Sequence, residues 1–195
     1  MPRYSGVREQ GAAPRGGQDI DSLLTRELRS VRKRQENQKF LLRLCCALAA
    51  VTMFTALVFR IAVIRGDSMA PALAQGDVAL TWRLNHRYQQ GDIVLFKASA
   101  ADGVQVGRVV AVPGDEVRID ALSGEVMING ETLVESYVYG ITQAADKAYP
   151  LILGEKEYFI LGDNRMQAFD SRFSAIGAVP KKEIIGKLVL ILRGC

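Results

Sequence analysis

Arg65-Gly66-Asp67-Ser68-Met69-Ala70-Pro71 lies just beyond an apolar run and opens the part of the chain that reads as a folded domain. Gly, Asp, Ser and Pro together are turn chemistry, and a serine in such a stretch is ordinarily only a turn residue. Its context makes Ser68 the candidate nucleophile. An apolar stretch precedes it, and Gly-Asp turns recur downstream, among them Gly114-Asp115 and Gly162-Asp163.

Downstream of the turn the pattern is β. Gly91-Asp92-Ile93-Val94-Leu95-Phe96 is a short apolar strand opened by a turn. Val104 to Val112 is a β-branched run closed by Pro113-Gly114-Asp115. Glu116–Ile119 and Glu125–Ile128 flank Ser123-Gly124 as a hairpin-like pair, and Asn129-Gly130 is a second tight turn. Glu157–Leu161 and Lys187–Leu192 are further strands. Many short strands with Gly-rich turns predict a mostly β domain over 65–195.

Upstream, Leu44 to Phe59 contains sixteen residues without a charge. At about 1.5 Å per residue this spans roughly 24 Å, short of a hydrocarbon core of about 30 Å. Extended to residues 40–64, it crosses a bilayer as one transmembrane helix if Arg43 and Arg60 snorkel to the interfaces. Residues 18–39 read as a cytoplasmic amphipathic helix, with Leu24, Leu28 and Val31 forming its apolar stripe. Residues 1–17, rich in Gly, Pro and charge, read as a disordered tail. Seven Lys and Arg fall between Arg26 and Arg43, which places the N-terminus in the cytoplasm and the β domain outside.

Charge and cysteine content exclude several classes. The net charge of +4 comes from the first 43 residues, which hold ten basic and five acidic groups; the remainder is close to neutral. A nucleic-acid-binding β domain would need its own basic face. Cys45, Cys46 and Cys195 form no disulfide framework. No His, Cys and Asp cluster has metal spacing, no glycine loop cradles phosphate, and no cofactor is implied.

Four blocks of this chain, in order, resemble the bacterial type I signal peptidases. They are Gly66-Asp67-Ser68-Met69-Ala70-Pro71, Gly91-Asp92-Ile93-Val94, Arg108-Val109-Val110-Ala111-Val112-Pro113-Gly114-Asp115, and Gly162-Asp163-Asn164-Arg165 with Asp170-Ser171-Arg172. LexA-type repressor peptidases share the Gly-Asp-Ser-Met turn but lack the membrane span and the last block. The resemblance implies a membrane-anchored serine endopeptidase that removes signal peptides from exported precursors. It makes Ser68 the nucleophile, with its own N–H an oxyanion donor. Gly66, Asp67 and Met69 are then substrate-binding positions, Met69 lining the cleft. Arg108, Asp163, Asp170 and Arg172 are then a structural ion-pair network, in which a carboxylate buried between arginines is tolerated only when fully paired.

In that family a neutral lysine takes the serine's proton, which requires burial to lower its pKa. The matching position here is Gly107. The serine that orients the lysine is replaced by Ala168, and a common threonine by Ala72. Neither Lys97, at a strand end, nor His86, in the loop Asn85-His86-Arg87, matches the position of a base. A positioned base supplies about 10²–10⁴ in rate, while serine proteases stripped of a triad member keep roughly 10³–10⁴ over the uncatalysed reaction. Two expectations follow from the resemblance: a signal peptidase with an unusual base, or an inactive paralogue that holds signal peptides or surface-protein subunits as an assembly factor.

Overall fold

The computed structural model describes residues 16–85, 87–98 and 103–193, and within its long helix the side chains of Leu28 and of Arg32 onward. That helix, α1, runs over Gly16–Val58. Its segment Arg32–Val58, 27 residues, is long and apolar enough to cross a membrane. Side chains such as Phe40, Leu48, Val51 and Phe54 are exposed along it. Exposed apolar side chains of this kind are compatible with a membrane span. The side chains of Leu24 and Val31, in the proposed amphipathic stripe, lie outside the described residues, as does the tail over 1–15.

The expected helix through residue 64 is corrected: helical structure stops at Val58, and Phe59–Val63 is strand β1. Arg60 therefore sits on a strand, with its carbonyl accepting a hydrogen bond from Thr81 Oγ1 at 2.8 Å. β1 pairs antiparallel with β2 (Val78–Trp82), Ile61 opposite Leu80. A β-branched apolar run satisfies its backbone equally in a strand once a partner exists, and β2 is that partner.

The remaining strands are β3 (Ile93–Lys97), β4 (Val104–Ala111), β5 (Glu116–Ile119), β6 (Val126–Ile128), β7 (Glu131–Thr132), β8 (Leu151–Ile152), β9 (Glu157–Leu161), β10 (Val179–Pro180) and β11 (Ile184–Leu192). They form two antiparallel sheets. The larger has the order β1-β2-β11-β3-β4-β9-β10, the smaller β7-β6-β5-β8. The mostly β expectation holds, and the hairpin-like pair is found as β5 and β6, with Val117 opposite Ile128.

Alternation along the central strands divides the core. Val94, Phe96, Val109, Tyr158 and Ile160 pack on one face of the large sheet. Leu95 joins Ile64, Met69, Leu73, Ala79 and Leu188 in a second cluster. Val110, Phe159 and Leu161 join Val117, Ile119 and Val126 in a third, between the two sheets. The second cluster anchors the Ser68 turn, because Met69 and Leu73 are buried in it.

Candidate active site

Gly66 has φ +76°, a left-handed conformation that costs glycine nothing and most other residues roughly a kilocalorie or more. It lets the chain leave β1 and turn sharply into Asp67 and Ser68. The turn closes with Ala70 N–H donating to the Asp67 carbonyl at 3.1 Å and Leu73 N–H to the Met69 carbonyl at 2.9 Å. The Ala70–Pro71 peptide bond is cis.

The Gly162-Asp163-Asn164-Arg165 segment clamps this turn from the other side. Asn164 N–H donates to the Ser68 carbonyl at 3.0 Å, and Asn164 Nδ2 donates to the Asp67 carbonyl at 3.1 Å. Asn164 is buried, and its Oδ1 has no partner among the described residues. Gly162 is glycine for a steric reason: a Cβ there would stand 2.6 Å from the Ser68 carbonyl oxygen and would run into Ala168 Cβ. Ser68, Gly162, Asn164 and Ala168 are thereby brought together from segments about 95 residues apart.

Ser68 heads a cleft of about 360 Å³. The cleft runs between β1, through Arg60, Ala62 and Val63, and the start of β4, through Val104, Gln105 and Val106, with Leu95 on its floor. Among the described residues neither the Ser68 N–H nor its Oγ has a hydrogen-bond partner. The free N–H is available to a developing oxyanion. The free Oγ has no base beside it. Among the described residues the only titratable ones lining the cleft are Arg60 and Arg65, and a guanidinium does not act as a base near neutrality.

Gly107 is buried in β4 opposite Val94. A Cβ built on it would lie 2.6 Å from Ile160 Cγ2, 3.2 Å from the Leu161 carbonyl oxygen and 3.3 Å from Phe96 Cε1. The position of the expected base is thus filled by neighbouring side chains. Ala168 is also buried and lines a small cavity of about 160 Å³ with Arg165, Met166 and Arg172. Lys97 is exposed at the end of β3, in a depression with Ile176, Pro180 and Glu183 that shares no residue with the Ser68 cleft. His86 lies outside the described residues.

Met69, expected to line the cleft, is instead buried in the core with Ile64 and Leu73. Gly66 and Asp67 are exposed beside the serine rather than among the cleft-lining residues. The expected carboxylate shared between two arginines resolves into separate pairs. Arg108 Nε donates to Asp163 Oδ1 at 2.8 Å and its Nη2 to Oδ2 at 2.5 Å. Arg172 Nε donates to Asp170 Oδ1 at 2.8 Å and its Nη2 to Oδ2 at 3.0 Å. Asp170 Oδ2 also accepts from Gly162 N–H at 3.0 Å, which ties this pair to the segment holding Ser68.

Two members of the network carry no local sequence signal. Glu135 accepts from Arg165 Nη2 at 2.5 Å and from the Tyr137 hydroxyl at 2.8 Å. The Tyr137 ring lies under the Arg108 guanidinium, 4.0 Å from its centroid. Burial, then the Glu135 charge and hydrogen bond, raise the Tyr137 hydroxyl well above its ordinary pKa, against the opposing pull of Arg108 and Arg165. For Arg108 burial is the largest influence and acts to lower its pKa, but its hydrogen bond to Asp163 and the nearby negative charge leave it raised.

An antiparallel sheet carries a clamped serine turn at the head of an open cleft, and a long apolar helix precedes it in the chain. The chain belongs to the signal peptidase family, peptidase S26, whose sequence model matches residues 37–193. It is 31% identical over 157 residues to a probable signal peptidase I-2 of Synechocystis, covering 70% of this chain and 68% of that protein. It is 27% identical over 172 residues to signal peptidase I of Bacillus licheniformis, covering 82% and 90%. A signal peptidase I crystal structure from Enterococcus faecalis superposes with a TM-score of 0.43 at 26% identity, covering 53% of this chain and 97% of that one.

Proposed function

We propose that this chain binds the signal peptides of exported precursors in the Ser68 cleft and holds them without hydrolysing them. The reading is carried by two observations, the filled position at Gly107 and, among the described residues, a cleft around the Ser68 hydroxyl that offers no base. Signal peptides as ligand are supported by the family and by relatives named signal peptidase I. The open edge of β1 and the start of β4 bound a cleft suited to an extended peptide, which binds by adding backbone hydrogen bonds to a free strand edge.

The setting is a membrane. One helix, Arg32–Val58, is suited to cross it, and the basic residues between Arg26 and Arg43 favour a cytoplasmic N-terminus with the β domain extracytoplasmic. A protein that keeps the buried network Arg108–Asp163 and Asp170–Arg172 but lacks a base retains the shape of the site without its proton transfer. Such a protein suits a role as an assembly factor that presents precursors or surface-protein subunits to other machinery.

A second reading, slow cleavage at Ser68, is favoured by the free Ser68 N–H and the intact clamp by Asn164. Incubation of the full-length protein in lipid nanodiscs with a peptide carrying a small-x-small motif separates the two. Holding predicts saturable binding, with intact peptide recovered equally from wild type and Ser68→Ala. Product formed by wild type and abolished in Ser68→Ala establishes the second reading.

A further inference from the structure

Strand alternation puts Arg60, Ala62 and Ile64 on one face of the β1 segment, with Phe59, Ile61 and Val63 on the other. Ile64 is buried in the core and Ala62 packs against the same cluster. Arg60 falls on the same face of the strand but is exposed, beyond the edge of that cluster. It lines the Ser68 cleft, and so does Arg65. Neither guanidinium has an ion-pair or hydrogen-bond partner among the described residues. Among the described residues no carboxylate lines the cleft, whose other residues are apolar apart from Ser68 and Gln105. Asp67 neighbours Arg65 in sequence but is exposed beside the turn and makes no ion pair with it.

We infer that Arg60 and Arg65 set specificity, selecting extended peptides that carry an acidic side chain close to the residue facing Ser68. The inference rests on the reading of the cleft as a signal-peptide site and adds its charge requirement. Arg65 stands three residues before Ser68, next to the residue that the serine addresses. Arg60 lies about five residues further back, roughly 16 Å along an extended backbone at about 3.3 Å per residue. A peptide laid along β1 thus meets one cation near its Ser68-facing residue and another four to five residues away. A planar, permanently charged guanidinium suits a carboxylate in both charge and two-pronged geometry. Anionic lipid headgroups offer related chemistry. Because both arginines line the same cleft as Ser68, the peptide is the favoured occupant.

The test uses full-length Ser68→Ala protein in zwitterionic nanodiscs, which prevents turnover. Three labelled peptides are compared, all with the same small-x-small motif and differing only in Glu, Gln or Lys four residues before the motif's last residue. Exposed charge pairs of this kind are worth up to about fivefold each in binding and fade with salt. The expected result is affinity in the order Glu, Gln, Lys, with Glu about fivefold tighter than Gln at low ionic strength. Arg60→Gln/Arg65→Gln is expected to remove that advantage, bringing the Glu and Gln peptides to equal affinity. Equal affinity for the three peptides overturns the inference and leaves the signal-peptide reading standing. Absence of binding by all three overturns both. A double variant that loses only its affinity for phosphatidylglycerol vesicles, with peptide preference intact, makes the arginines membrane contacts and also overturns the inference.

Discussion

Ile160 Cγ2 stands 2.6 Å from the point that a Cβ on Gly107 would occupy. Real Cβ atoms do not approach other carbons that closely, so one of the two must move when any side chain is placed at 107. Packing therefore fills the position at which the family resemblance leads one to expect a lysine, and placing any side chain there meets a steric obstacle.

That obstacle has a measurable sign. Glycine in a strand interior is ordinarily less stable than alanine by about 0.5–1 kcal/mol. At position 107 the contact with Ile160 reverses the expectation. Gly107→Ala is expected to destabilise by about 1–3 kcal/mol, the usual cost of overpacking. Adding Ile160→Met, which removes the branched methyl at similar volume, should recover most of that loss. Thermal or denaturant unfolding of the three variants checks it, and a stabilising Gly107→Ala contradicts it.

The two classes of ion pair should separate equally clearly. Asp170 is buried and accepts from Arg172 and from Gly162 N–H, so Asp170→Ala leaves a guanidinium unpaired in the core. The expected cost is about 3–5 kcal/mol. Arg118–Glu116 is exposed, and Glu116→Ala should cost less than about 1 kcal/mol. Equilibrium denaturation of both variants provides the comparison, and similar losses would show that the Asp170 pair is not buried in solution.

Asp146 gives a prediction in pH. Its Oδ2 accepts from Ser174 Oγ at 2.5 Å and its Oδ1 from Ser174 N–H at 2.8 Å, and these bonds lower its pKa. A depressed folded-state pKa means that the stabilisation is present above the unfolded carboxylate range, near 3.8, and is lost as pH falls through the lower folded value. The Ser174 amide resonance should therefore titrate with a midpoint below 3.8, and Asp146→Asn should abolish that titration. A midpoint at or above 3.8 contradicts the contact.

Asn164 combines a clamp with an orphan. Its Nδ2 and N–H hold the Asp67 and Ser68 carbonyls, while its buried Oδ1 lacks a partner. Removing the side chain forfeits one hydrogen bond, about 1 kcal/mol, but also relieves the desolvation of Oδ1. Asn164→Ala is expected to cost less than about 1 kcal/mol in global stability while hydrogen exchange at Met69 and Ala70 accelerates. Unchanged exchange there would mean that Asn164 does not hold the turn.

Local chemistry made part of this fold legible and tertiary pairing hid the rest. The run Val104–Val112 is β-branched and continuous, and it forms β4 over Val104–Ala111. The β5–β6 pair was readable from its flanking turns. β1 was not, because Phe59-Arg60-Ile61-Ala62-Val63 continues an apolar helix without a break; its strand conformation depends on β2, about twenty residues away. The serine turn was recognisable from Gly66-Asp67-Ser68. The clamp by Asn164 and the Glu135–Tyr137–Arg108 contacts join segments dozens of residues apart, and no local spacing encodes them. Arg60 was read as a bilayer-interface residue for the same reason that β1 was read as helix.

The central claim is that Ser68 lacks its base and that neighbouring packing occupies the base's position. The most direct measurement compares signal-peptide cleavage by wild type, Gly107→Lys/Ala168→Ser, and the same double variant with Ile160→Met, each with and without Ser68→Ala. The account predicts the fastest cleavage from the triple variant, at least about 10²-fold above wild type and dependent on Ser68, in line with the rate that a positioned base supplies. Robust wild-type cleavage that vanishes in Ser68→Ala, with no gain in either restored variant, would contradict it.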